Sequence, residues 1–121
     1  MITILMVDDN ARLLSVLSRA LSGAGYHVLP VESAEEALEL LGMMRPDALI
    51  CDISLEGMSG VELCRRIQAH PLYCDLPVVL MSGHDTSQTL GCSPAAVLQK
   101  PVTLQQIVAT LTSVLEKSRH V

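Results

Sequence analysis

The sequence predicts an α/β fold: a doubly wound sandwich with one five-stranded parallel sheet and helices on both faces. Three observations lead there. Short apolar runs at residues 2–7, 48–51, 78–81 and 95–98, with another at 27–31, have the length and composition of strands rather than helices. Stretches with the 3.6-residue period of amphipathic helices alternate with them. The crossovers are long enough for right-handed βαβ units, which makes the sheet parallel.

The elements follow in order. Residues 2–7 form a β-rich run that stops at Asp8-Asp9-Asn10, and Asn10 or Asp9 can cap the helix that follows. That helix repeats apolar residues at Leu13, Leu14, Leu17, Ala20 and Leu21, and closes at Gly23 and Gly25. The run 27–31 reads as an edge strand, because Pro30 has no N–H for a ladder. Ser33 and Glu36 stand in capping-box register before a helix whose apolar face is Ala34, Ala37, Leu38 and Leu41. Asp47-Ala48-Leu49-Ile50-Cys51-Asp52 is the stretch around which the chain is organised: a buried strand that ends by delivering a carboxylate, with turn signals at Glu56-Gly57 and Ser59-Gly60 beyond it. A helix is expected over 61–69, with Val61, Leu63, Cys64 and Ile67 inward and Arg65 and Arg66 partly outward. After a loop over 71–77, the strand 78–81 closes on Ser82-Gly83. The helical period fades between His84 and Pro94, where 87–90 can make a turn or two. The fifth strand, 95–98, leads to Gln99-Lys100-Pro101. A second capping box, Thr103 to Gln106, opens a last helix that ends near Lys117 and carries Leu104, Ile107, Val108, Leu111 and Leu115 on one face.

Composition bounds the function. A chain of 121 residues is one domain with a core sufficient for stability. Half of it is hydrophobic, yet it has no Phe, no Trp and two Tyr, so the core must be aliphatic. A formal charge of −5, with eight Lys and Arg spread thinly, argues against nucleic acid or an anionic membrane as partner. Protein or small phosphorylated partners fit better. The four cysteines include no C-x-x-C and no nearby histidine partner, so they read as separate reduced thiols. Residues 2–7 are too short for a signal-peptide core, and no stretch approaches a membrane span. A cytoplasmic location is expected.

In a parallel sheet all strand ends project from one edge, so Asp8, Asp9, Asp52, Ser82 and Lys100 should converge although distant in sequence. Three carboxylates in one place raise one another's pKa unless a cation is shared among them. Mg²⁺ is the natural occupant, since it takes oxygen ligands from one or two carboxylates together with a phosphate oxygen. Asp52 is then placed to attack phosphorus and form an aspartyl phosphate, the metal neutralising the charge of attacker and phosphoryl group. Lys100 supplies a second positive charge and Ser82 a hydroxyl donor. Each feature alone has a plainer role: a helix cap for Asp9, a turn for Ser82-Gly83, a solvated lysine for Lys100. Their arrival at successive strand ends in one order favours the joint reading.

This arrangement resembles the receiver domain of bacterial two-component response regulators, over residues 2–117. The match lies in the acidic pair Asp8-Asp9, the acceptor Asp52, Ser82, the Lys100-Pro101 dipeptide, and Gly60 closing the loop after the acceptor. The resemblance implies the flavodoxin-like (βα)5 fold. It also implies Mg²⁺ held by Asp9, Asp52 and the backbone carbonyl of Ser54, with Asp8 acting mainly through water. The donor would be a phosphohistidine on a sensor histidine kinase or a histidine phosphotransfer protein, and water would reset the state. Ser54 and His84, near the phosphate mouth, are candidates for tuning its lifetime. Three departures stand out. Val97 occupies the place where the family usually has an aromatic residue or His that swings inward. The interval from Ser82 to Lys100 is short, which puts a fourth helix in doubt. Leu55-Glu56-Gly57 replaces the frequent Met-Pro.

The expected function is therefore phosphorelay signalling by a single receiver domain over 1–121, without an output domain, acting on a downstream protein through contact. It is expected to catalyse only its own phosphorylation and dephosphorylation, either standing alone or as a piece of a hybrid histidine kinase. The alternatives are a degenerate receiver serving as a phosphorylation-independent binding module and an aspartate-nucleophile phosphatase. The phosphatase class usually has a second Asp two residues after the nucleophile, where this chain has Ser54. A flavin carrier would need aromatic residues that are missing here.

Overall fold

A computed structural model describes residues 1–83 and 91–119. Its elements are β1 Thr3–Val7, α1 Ala11–Gly23, β2 His27–Val31, α2 Ala34–Leu41, β3 Ala48–Asp52, α3 Gly60–Ala69, β4 Val78–Ser82, β5 Ala96–Gln99 and α4 Leu104–Arg119. The five strands form one parallel sheet in the order β2-β1-β3-β4-β5. Strand order reverses at β1, which has β2 on one side and β3 on the other. In open α/β sheets that crevice, at the carboxyl ends of the strands, is where ligands bind.

The alternation of side chains along each strand divides the core into two layers. Leu5, Val7, Leu49, Cys51, Val78 and Leu80 face α2 and α3, meeting Ala34, Ala37, Leu41, Leu63, Cys64 and Ile67. Ile4, Met6, Ala48, Ile50, Val79 and Met81 face α1 and α4, meeting Leu14, Leu17, Leu21, Ile107 and Leu111. The fully buried residues of both layers are aliphatic or sulfur-containing, with the adaptable side chains of Met6 and Met81 among them. β1, β3 and β4 are interior strands and read as continuous apolar runs. β2 is an edge strand, as Pro30 requires.

The caps settle the helix starts. Asn10, not Asp9, caps α1, its Oδ1 accepting from Leu13 N at 3.1 Å. Ser33 Oγ accepts from Glu36 N at 3.1 Å. At α4 the capping box is reciprocal: Thr103 Oγ1 accepts from Gln106 N at 3.1 Å, and Thr103 N donates to Gln106 Oε1 at 2.8 Å. Several boundaries differ by a residue or two from those the sequence pattern suggests, among them the start of β1 at Thr3. α3 begins at Gly60 because Ser59 Oγ accepts from Glu62 N at 3.1 Å, and α4 runs on to Arg119. β4 includes Ser82 and β5 is shifted to Ala96–Gln99, because Ser82 and Gln99 are register partners and Lys100 N donates to Ser82 O at 2.7 Å. The turn expected at 87–90 lies outside the described residues, as does His84.

Candidate functional site

Register brings the predicted side chains together. Val7 lies beside Cys51, so Asp8 emerges next to Asp52. Asp52 lies beside Met81, and Ser82 beside Gln99, so Ser82 and Lys100 follow one step further along the same edge. One ligand oxygen from each of Asp8, Asp9 and Asp52 lies within 4.8 Å of the others. Asp8 and Asp52 are buried, 1% and 6% exposed, whereas Asp9 stands in solvent.

Asp52 is held at both oxygens. Its Oδ2 accepts from Lys100 Nζ at 2.7 Å, and its Oδ1 accepts from the backbone N–H of Ser54 at 3.1 Å. Lys100 reaches in from the end of β5, just before the cis Lys100–Pro101 peptide, and its ammonium also lies 3.5 Å from Asp8 Oδ2. Asp8 Oδ1 accepts from Asn10 N at 2.9 Å. Ser82 is buried at the end of β4, 1% exposed.

Gly60 closes the site from below. Its N–H donates to Ile53 O at 3.0 Å, and a Cβ there would stand 2.9 Å from both the Asp52 carbonyl carbon and Ile53 Cα, and nearer still to the Asp52 carbonyl oxygen. Only glycine lets the start of α3 sit this close to the end of β3.

Two backbone donors carry no sequence signal. Asn10 contributes its N–H to Asp8 as well as its side chain to the helix cap. Glu56 donates its N–H to Asp9 Oδ2 at 3.0 Å, tying the loop after β3 to the acidic pair. A proline at position 56 could not make that bond, so the Leu55-Glu56-Gly57 departure has a structural consequence. Gly57 completes the turn with φ +78°.

Electrostatics favour a cation. Burial raises the Asp8 carboxyl, with the Asn10 N–H and the Lys100 charge opposing the rise and the Asp52 charge adding to it. For Lys100, burial alone would lower the pKa, but the hydrogen bond and charge of Asp52 and the charge of Asp8 outweigh it and raise it. One ammonium faces three carboxylates. Asp8 Oδ2 is buried and, among the described residues, has no hydrogen-bond partner, only the longer-range attraction of Lys100. A buried carboxylate oxygen left in this way, within reach of two more carboxylates, fits a hard oxygen-seeking ion such as Mg²⁺.

These shifts make stability depend on pH. Because the folded state raises the Asp8 carboxyl, the stability linked to it is present at low pH and is lost as pH rises through the folded value. In metal-free buffer at pH 7, Asp8→Asn should therefore be more stable than the parent, because burial disfavours the charged carboxylate that the substitution removes. The difference should vanish toward acidic pH, and if Mg²⁺ binds this cluster, the rise in melting temperature on adding Mg²⁺ should be smaller in the variant. Thermal melts across pH, with and without Mg²⁺, check all three outcomes.

Comparison with known proteins agrees with this architecture. Residues 4–112 match the family model of the response regulator receiver domain. The chain is 32% identical, over 96% of its length, to the phosphate regulon transcriptional regulatory protein PhoB of Pseudomonas aeruginosa. It is 31% identical, over 98% of its length, to the response regulator MprA of Mycobacterium ulcerans. It spans about half the length, 52%, of each of these curated relatives. Among solved structures, the signal receiver domain of a histidine kinase from Syntrophus aciditrophicus superposes with a TM-score of 0.93 at 26% identity, covering 100% of this chain and 95% of that one. No helix among the described residues is long and apolar enough to cross a membrane. With its five-stranded parallel sheet and its acids and lysine gathered at one edge, the chain belongs to the response regulator receiver domains of two-component signalling.

Proposed function

We propose that Asp52 accepts a phosphoryl group from a phosphohistidine, on a sensor histidine kinase or a histidine phosphotransfer protein, in a Mg²⁺-dependent reaction. The observation that supports this most is the setting of Asp52: a buried carboxylate at the end of β3, held by Lys100 and Ser54 N, with Asp8 and Asp9 beside it.

The chemistry follows from the charges. Asp8, Asp9, Asp52 and the Ser54 carbonyl would hold Mg²⁺, which when bound supplies positive charge against the carboxylates and the incoming phosphoryl oxygens. The Asp52 carboxylate attacks phosphorus in line, the P–N bond breaks, and the donor imidazole leaves with its electron pair. Lys100 keeps its proton throughout and remains as the positive charge for the phosphoryl oxygens once Asp52 has reacted. Ser82, at the neighbouring strand end, offers a hydroxyl to the same oxygens. Attack of water on phosphorus then returns the Asp52 carboxylate and releases inorganic phosphate. The chain in this reading turns over no external substrate. Residues 1–121 act as one receiver unit in the cytoplasm, whose signal passes to a downstream protein by contact.

The test uses intact mass. A small acyl phosphate in Mg²⁺ buffer should add one phosphoryl group, and chelation should prevent it. Added phosphomonoesters should not be consumed. No adduct in Mg²⁺ would favour a binding module, and steady phosphomonoester turnover would favour a phosphatase; either result rejects the reading.

A further inference from the structure

The sequence offers four apparently separate cysteines, yet the fold pairs two of them. Cys64, on the inner face of α3, is fully buried, and Cys92, half-buried in the segment leading into β5, packs against the same cluster, close enough for the two thiols to interact. Both sulfurs belong to the apolar cluster that also contains Val97. One helical turn beyond Cys64, Gln68 brackets the next residue of that segment. Its Oε1 accepts from Ser93 N at 3.0 Å and its Nε2 donates to Ser93 O. The segment is therefore docked along α3 by hydrogen bonds between the Gln68 side-chain amide and the Ser93 backbone, next to Cys92 and one turn from Cys64. Cys51, the other buried cysteine, is directed elsewhere, its thiol donating to Asp52 O at 3.2 Å.

We propose that Cys64 and Cys92 form a reversible dithiol–disulfide pair whose oxidised form fastens the segment before β5 to α3. Gln68 acts as the positioning residue, holding the two sulfurs in register. The half-exposed Cys92 reacts first, because burial and then the neighbouring Cys92 push the Cys64 thiol up to about 12 and leave little thiolate there. With a low-molecular-weight disulfide as oxidant, the Cys92 thiolate attacks one of its sulfurs and releases one thiol, leaving a mixed disulfide. Cys64 then attacks the Cys92 sulfur, losing its proton, and the second small thiolate leaves and is protonated. Two protein thiols are oxidised and one small disulfide is reduced to two thiols. The closing movement falls on the irregular residues 91–95 ahead of β5, where Gly91 has φ +98°, and not on the helix.

The experiment treats the full chain with oxidised glutathione under native conditions, quenches with an alkylating agent, and reads intact mass and disulfide-linked peptides. The expected product is lighter by two hydrogens, yields a Cys64–Cys92 peptide pair, and reverts with reduced glutathione. Closing a loop of about 30 residues should raise its melting temperature by roughly 10 °C. Hydrogen exchange should slow across 91–99. Cys92→Ser, at a half-exposed position, should fold and remain unlinked at Cys64. A product that stops at one glutathione on Cys92, or a native link from Cys64 to Cys51 or Cys74, would overturn the proposal.

Discussion

Asp52→Asn is expected to abolish phosphoryl incorporation completely while leaving the sheet folded. The substitution removes the carboxylate proposed as the nucleophile and keeps its shape within the buried end of β3. Its structural cost is bounded by the two bonds Asp52 makes. Oδ2 accepts from Lys100 and Oδ1 from Ser54 N, whereas an asparagine has a single acceptor oxygen, so one of the two donors loses its partner. Leaving one such donor unsatisfied costs about 1–3 kcal/mol, and relief of the charge facing Asp8 offsets part of it. The variant should thus melt a few degrees lower, fold cooperatively and stay unmodified in acyl phosphate and Mg²⁺. A circular dichroism melt and an intact mass on the same sample check both halves. Retained incorporation would move the acceptor to another residue.

Gly60→Ala is expected to be the most destabilising small substitution at the site. Its methyl group would meet backbone atoms of Asp52 and Ile53, none of which can turn aside as a side chain could. α3 would have to move away from the end of β3, and the Gly60 N to Ile53 O bond would stretch with it. Overpacking against backbone costs about 2–4 kcal/mol, or roughly 10 °C in melting temperature for a domain of this size. Because the displaced atoms include the carbonyl of Asp52 itself, phosphoryl incorporation should slow even below the melting transition. Urea denaturation and an incorporation time course on one preparation test this. Parental stability and rate in the Gly60→Ala variant would show that α3 does not set the position of Asp52.

The parts of this fold that could be read from the sequence are those that depend on local pattern. β1, β3 and β4 are legible because an apolar run ending in an acid or hydroxyl fits little except a buried strand once helices alternate with it. The caps at Ser33 and Thr103 are legible because a capping box is a four-residue signal, and Ser59-Gly60-Val61-Glu62 carries the same signal one residue ahead of the helix start that periodicity alone suggests. The meeting of Asp8, Asp52 and Lys100 follows from parallel strands alone, since carboxyl ends must share an edge.

Contacts that depend on how loops lie were not legible. The Asp9 to Glu56 bond needs the turn at Gly57, and the orphaned Asp8 Oδ2 needs the reach of the Lys100 side chain. The pairing of Cys64 with Cys92 needs the Gln68 bracket, which joins residues 25 apart in sequence. Spacing between cysteines says nothing about such a contact. Val97 is half-buried in the same cluster, so this strand position packs without the aromatic side chain usual in the family.

The most direct test of the central claim is to phosphorylate the chain in Mg²⁺, reduce it with borohydride, and sequence the product by mass spectrometry. Reduction converts an aspartyl phosphate to homoserine, so the account predicts homoserine at position 52 and nowhere else. Homoserine at another aspartate, or a phosphate that survives reduction on Ser82, would contradict it.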